Sequence, residues 1–314
     1  MTMKYAIVIP VFNNEASIET LFQELELITD SLKNSVEILF VDDAGPDKSI
    51  SKILECKRTS LLNVRIIQHS RNFGSFAAIR TGLMQSKSDF TAVISADMQE
   101  PPSLLLSFFE RLENTEADIV FGTRINRDDP FVSRVTSQIY WALYRKLVNN
   151  QIPRGGIDVF ACRKNVINSI NEMKELNTSL IGMLFWIGFN REFQPYRRSK
   201  RLHGKSSWTF RKKIDYMSDS IFAFTDLPIR FVRSLGLLGL LMSTVLSLVL
   251  LSATLAGKVD VPGYVPIMLA ILLGNSSILI SVGVIGSYLW RTFQNTQMRP
   301  FAITRELNQE EVNN

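Results

Sequence analysis

The chain has 314 residues, 46% of them hydrophobic, and a formal net charge of +5. That length holds one large globular domain plus a smaller part, and 20 Phe exclude a disordered chain. A basic excess suits nucleic acid, an anionic membrane or a phosphorylated substrate, and its placement separates them. From Arg197 to Lys213 every charged residue is basic: Arg197, Arg198, Lys200, Arg201, Lys205, Arg211, Lys212 and Lys213. Such a run is ordinarily a solvated face. Here Tyr196, His203, Gly204 and Trp208 interrupt it and apolar stretches follow, which favours an anion- or headgroup-binding segment and not a nucleic-acid partner. Cys56 and Cys162 are the only cysteines and lack metal-ligand spacing, as expected of a reducing compartment. The N-terminus runs straight into a strand pattern and lacks the features of a signal peptide.

Up to about residue 195 short apolar runs alternate with amphipathic ones. Tyr5–Ile9, Glu37–Val41, Val64–Gln68, Thr91–Ile94 and Asp118–Phe121 read as buried strands, rich in Val and Ile and bounded by polar residues. Ile18–Leu32 and Ser75–Met84 carry helical spacing between them. The alternation predicts an α/β fold with a mostly parallel sheet, helices on both faces, and ligands at the carboxyl ends of the strands.

Residues 196–232 form a second part: the basic loop followed by Ile214–Phe231, where Ile214, Met217, Ile221 and Phe224 recur at helical spacing. That pattern suits a helix on a membrane surface, and equally a core-facing helix. The third part is expected to be membrane. Ser234–Gly257 and Val261–Trp290 carry no charge, against about 20 residues needed to cross a bilayer. A two-helix hairpin is expected within residues 233–290, with spans near 234–256 and 266–289 and a loop at Lys258–Tyr264. Residues 291–314 form a tail. Arg230, Arg233, Arg291, Arg299 and Arg305 flank the inner ends, so the charge bias places both termini and residues 1–195 in the cytoplasm, at an inner, multi-pass membrane.

Polar residues cluster where the first four strands should end. They are Pro10-Val11-Phe12-Asn13-Asn14-Glu15, then Asp42-Asp43-Ala44-Gly45-Pro46-Asp47, then Ser70-Arg71-Asn72-Phe73-Gly74, and finally Ser95-Ala96-Asp97-Met98-Gln99-Glu100-Pro101-Pro102. One such turn is unremarkable, but four at successive strand ends converge on one crevice. The carboxylates of Asp42 and Asp43 suit a base N–H and ribose hydroxyls. Asp97 and Gln99 offer oxygens to Mg²⁺ or Mn²⁺ shared with a diphosphate. No G-x-G-x-x-G follows the first strand, which disfavours a dinucleotide dehydrogenase. Gly204-Lys205-Ser206 lacks both the first glycine and the strand of a phosphate-binding loop.

Together with Gly122-Thr123-Arg124, Gly155–Asp158, Arg201–Trp208 and Asp226-Leu227-Pro228-Ile229-Arg230, these motifs resemble the family 2 inverting glycosyltransferases of GT-A fold. The branch resembled is that of polyprenyl-phosphate sugar transferases, which includes dolichol-phosphate mannose synthase and the bactoprenol glucosyltransferases. The resemblance covers essentially the whole chain. It implies a GT-A sheet followed by interfacial helices and a transmembrane hairpin, and transfer from a nucleotide-sugar, a UDP-linked hexose or N-acetylhexosamine, to polyprenyl (undecaprenyl) phosphate. It implies a nucleotide-sugar site at Pro10, Phe12, Asn13, Glu15, Asp42, Asp43, Arg71, Asn72, Ala96, Asp97, Met98 and Arg124, with Asp97 and Asp158 catalytic and Asp97 and Gln99 on the metal. Arg134, Arg201, Lys205 and Ser206 are expected to hold the acceptor phosphate.

Two departures stand out: Ser95 replaces the first aspartate of the family's D-x-D, and Ala44-Gly45 replaces the usual Gly-Ser. Restoring an aspartate at Ser95 is expected to tighten metal affinity. The rival readings are a transferase acting on a lipid-linked saccharide and a catalytically degenerate membrane scaffold. No Q-x-x-R-W element of processive synthases is present. The lipid bilayer is an expected partner, and a homo-oligomer is left open.

Overall fold

The structure, a computed structural model, describes residues 3–33, 35–125, 141–153, 157–176, 178–198, 210–256 and 263–305. They divide into two compact units, residues Met1–Met217 with Pro300–Asn314, and residues Ser218–Arg299.

The first unit is an α/β sheet. Strands β1 (Tyr5–Val11), β2 (Val36–Asp42), β3 (Asn63–His69), β4 (Phe90–Val93) and β5 (Ile119–Arg124) fall on the five runs expected, one or two residues longer at most ends. β1 pairs in parallel with β2 and β4, and β3 lies parallel beyond β2. Ile7, Val8 and Ile9 are fully buried, because helices cover both faces of the sheet; this is why the strands read as unbroken apolar runs. Three further strands had no such signal. β6 (Ile157–Arg163) inserts antiparallel between β4 and β5, β7 (Arg191–Tyr196) lies parallel to β5, and β8 (Thr304–Arg305) pairs antiparallel with β3. The order is β7-β5-β6-β4-β1-β2-β3-β8.

The helices α1 (Ile18–Ser31), α2 (Ser49–Thr59), α3 (Ser75–Gln85) and α4 (Leu104–Asn114) alternate with these strands. Helix α1 buries Ile18, Leu21, Phe22, Leu25 and Ile28, one stripe at a 3.6-residue period. Two helices follow β6, α5 (Lys164–Glu172) and α6 (Leu180–Trp186). The register sets Val11 opposite Asp42, so the carboxyl ends of β1 and β2 come level.

Helix α7 (Phe210–Phe224) ends within the stretch expected to be one interfacial helix, and α8 (Leu227–Leu255) begins after it. Pro228 explains the break, since it has no N–H to donate back to Phe224 and is accommodated only in a first helical turn. Asp226 closes the new start, its carboxylate pairing with Arg230 at 2.8 Å. In the second unit α9 (Tyr264–Thr296) packs against α8. Its Arg291 bonds Asp219 at 2.8 Å and lies over the Phe222 ring.

Among the described residues no helix is long and apolar enough to cross a membrane. The structure thus holds two long helices where the hairpin was expected, but no membrane span among the described residues; several side chains of both helices lie outside the described residues, as does the loop from Lys258 to Asp260.

Gly82 gives the close approach of α3 to β1: a Cβ there would overlap the Val8 side chain. Gly82→Ala is expected to cost roughly 1–3 kcal/mol by overpacking, read as a lower urea midpoint at unchanged m. An unchanged midpoint would place α3 farther from the sheet.

Candidate active site

The loops that leave β1 and β2 are laced together. Glu15 N–H donates to Asp47 Oδ2 at 2.9 Å, Lys48 N–H to Glu15 Oε2 at 3.1 Å, and Asn14 N–H to Ser49 Oγ at 3.0 Å. Glu15, expected to touch the donor, thus spends at least one carboxylate oxygen on the neighbouring loop. Pro10 lies within β1, and Phe12 and Asn13 are exposed at its end. Asn13, Ala44 and Met98 all have positive φ, at 63°, 54° and 58°. Three loops at neighbouring strand ends thus hold a non-glycine residue in the left-handed region, a strain that accumulates at functional sites.

The two aspartates at the end of β2 divide their work. Asp43 is 2% exposed. Its carboxylate accepts from Phe73 N–H at 2.8 Å and Gly74 N–H at 2.7 Å, and lies 2.8 Å from His69 Nδ1. The other nitrogen of that buried ring, Nε2, is 2.9 Å from Thr81 Oγ1. Asp43 therefore fixes the Ser70–Gly74 loop and the start of α3, and its oxygens point into the protein. Asp42, 1% exposed, accepts from Gly45 N–H at 3.4 Å and from Gln68 Nε2 at 3.3 Å. Burial raises its pKa, and these two bonds oppose the rise. Arg71 and Asn72 are exposed on the loop Asp43 holds, with the Arg71 guanidinium 4.1 Å over Phe73.

After β4 the carbonyl of buried Ala96 accepts from Ser17 Oγ at 2.7 Å, which ties this loop to the start of α1. Ser95 Oγ lies 2.7 Å from Asp97 Oδ1 and bonds Glu100 Oε2 as well. The Glu100 side chain is 1% exposed, and burial raises its pKa. Its Oε1 is 3.5 Å from Arg198 Nε, and Arg198 Nη2 donates to Gln99 Oε1 at 2.5 Å. Glu100 and Arg198 had no assigned role in the sequence.

Farther along the edge Arg124 pairs directly with Asp158, and Tyr196 OH donates to the same Asp158 oxygen at 3.5 Å. Pairing of Thr123 with Ile157 across β5 and β6 makes this contact. The donor-side arginine and the catalytic aspartate of the sequence reading are thus brought together. Burial, and next Glu100, push the Tyr196 phenol pKa up, so it stays protonated as a donor. Arg134, Arg201, Lys205 and Ser206 lie outside the described residues. Two concavities beside α6, one lined by Phe185 and Phe193, the other by Trp186 and Phe189, contain none of the strand-end residues.

Among the described residues no three His, Cys, Asp or Glu side chains come together as a metal site. A small hard cation commonly takes one or two carboxylates and completes its shell with substrate phosphates and water. Asp97 fits that pattern as the single carboxylate. Gln99 fits only after its oxygen leaves Arg198.

Removing the Asp43 carboxylate strands two backbone donors and an imidazole in the interior. Asp43→Ala is expected to destabilise the fold by about 3–5 kcal/mol. Asp47→Ala, which loses bonds at a half-buried position, should cost about 1 kcal/mol. Urea unfolding of both variants checks the order, and equal losses would contradict the division of labour.

Residues 6–172 match glycosyl transferase family 2. An uncharacterised glycosyltransferase of Synechocystis sp. is 31% identical over 98% of this chain and 96% of its own length. A prophage bactoprenol glucosyl transferase homolog of Escherichia coli is 27% identical over 97% of this chain and 99% of its own. Among solved structures, a mannosyltransferase from Pyrobaculum calidifontis aligns over 92% of this chain and 88% of its own, at 12% identity and a TM-score of 0.49. The match covers more than half of the 314 residues, and the chain belongs to glycosyl transferase family 2.

Proposed function

We propose that this glycosyltransferase moves a sugar from a nucleotide-sugar to polyprenyl phosphate at the cytoplasmic face of a membrane. The observation that carries the reading is the placing of Asp42, Asp97 and Arg124 at or just after the carboxyl ends of β2, β4 and β5, and of Asp158 at the start of the antiparallel β6, all along the edge where open α/β sheets bind ligands. Relatives named as bactoprenol glucosyl transferases, aligned from end to end, support the acceptor class.

The chemistry asks for positioning more than for a strong base. A phosphate monoester has its second pKa near 6, so the acceptor is mostly ionised at neutral pH. Its oxygen attacks the anomeric carbon in line, the nucleoside diphosphate departs, and the configuration inverts. Asp42 and the exposed residues Phe12 and Asn13 that follow β1 hold the nucleoside. Asp158, fixed by Arg124 and Tyr196, orients the sugar. Arg124 lies beside the departing diphosphate, and Arg201 and Lys205 of the basic segment take the acceptor phosphate. Mg²⁺ or Mn²⁺ held by Asp97, with Gln99 where it is released from Arg198, would neutralise charge on the diphosphate.

The membrane reading rests on sequence. Ser234–Gly257 and Val261–Trp290 carry no charge, and arginines flank their inner ends. The chain leaves the first unit after Met217 and rejoins it at Pro300, which agrees with an even number of crossings and both termini on one side. With single cysteines at Gly263 and Asn313 in a background free of Cys56 and Cys162, an impermeant thiol reagent on intact cells should label the first alone. Labelling of Asn313→Cys would contradict the orientation.

Incubating the purified full chain with a panel of nucleotide-sugars and undecaprenyl phosphate should give a lipid-linked monosaccharide from at least one donor. Asp97→Asn and Asp158→Asn are expected to lower kcat by about 100-fold or more. Transfer to a lipid-linked saccharide but not to the lipid phosphate would overturn the acceptor.

A further inference from the structure

We propose that Glu100 is a positioning residue, which orients the Asp97 carboxylate through the Ser95 hydroxyl while Arg198 holds Glu100 in place. The inference rests on the reading of Asp97 given above. Four contacts carry it. Ser95 Oγ reaches Asp97 Oδ1 at 2.7 Å and Glu100 Oε2 on its other side. Glu100 is all but enclosed, its second oxygen 3.5 Å from Arg198 Nε. Gln99 N–H donates to the same Asp97 oxygen at 3.3 Å, so the turn and the hydroxyl converge on one atom.

A hydroxyl is suited to this place. It has one proton, which it can give to either carboxylate, and its oxygen stands between two acids that would otherwise face each other. An aspartate there would set a third carboxylate against Asp97 and the buried Glu100, where like charges disfavour one another. Ser95 and Glu100 are therefore complementary: the serine lets an enclosed glutamate act on Asp97 without touching substrate. This reverses the expectation that an aspartate at this position would improve the site.

The test is a kinetic cycle on the full chain with Ser95→Ala, Ser95→Thr, Glu100→Ala and the double alanine variant. Ser95→Ala should lower kcat by roughly 10–100-fold, the usual loss when a supporting partner of a ligand is removed. The KM for polyprenyl phosphate and the thermal midpoint should stay near the parent's. Ser95→Thr keeps the hydroxyl and should restore most of the activity. The double variant should be no worse than the poorer single one, because both changes cut the same link. Affinity for UDP or GDP, whichever the parent binds more tightly, should weaken in Ser95→Ala without catalysis being involved. Ser95→Ala decides the matter if Glu100→Ala does not fold. Parental kcat and nucleotide affinity in Ser95→Ala, with Asp97→Asn inactive, would overturn the link alone. An active Asp97→Asn would instead overturn the reading of the site.

Discussion

Burying a carboxylate costs several kcal/mol unless hydrogen bonds replace its water, and β2 ends by burying two in succession. Asp43 meets that constraint with two backbone N–H groups and the His69 ring. In doing so it fixes where the third loop runs and where α3 begins. Asp42 meets it only in part, through two longer bonds at 3.3 and 3.4 Å, and is left able to accept more. The strand-end loops around the pair are then locked by bonds from one loop to the next, Glu15 to the β2 loop and Ser17 to Ala96. A site built this way is set before a ligand arrives, which spares it the ordering cost of binding.

The same logic divides the carboxylates along the sheet. Asp43 and Glu100 are enclosed and act on other protein groups. Asp97 and Asp158 are more exposed, each approached by a partner on one side: a hydroxyl for Asp97, a guanidinium and a phenol for Asp158. The proposed transfer between two anionic phosphates needs charge balanced and groups held still, and acids fixed by neutral donors or arginines serve that need.

Much of this was legible in the sequence. Of the five parallel strands, β1, β2, β4 and β5 stood out because burial on both faces makes each a largely apolar run, and β3 through Val64, Ile66 and Ile67. β7 was not legible, since its edge position lets exposed residues such as Phe193 and Pro195 alternate with covered ones, and the two-residue β8 has no period to read. The residues of the strand-end loops were found, but not their roles. Asp42 and Asp43 looked alike as a doublet, and only burial and direction separate them. Glu100 read as part of a polar turn because its partner Arg198 lies 98 positions later, brought near by β7. Arg124 and Asp158 meet because β6 runs antiparallel beside β5, a pairing that no local pattern announces.

The central claim is that donor chemistry takes place over the carboxyl ends of β1, β2, β4 and β5. A crystal structure of the chain with the nucleotide-sugar it turns over tests this most directly. The account predicts the nucleoside against Asp42 and Phe12, the diphosphate beside Asp97 and Arg124, and the sugar facing Asp158. A nucleotide seated instead in either concavity beside α6, with Asp42 and Asp97 untouched, would contradict it.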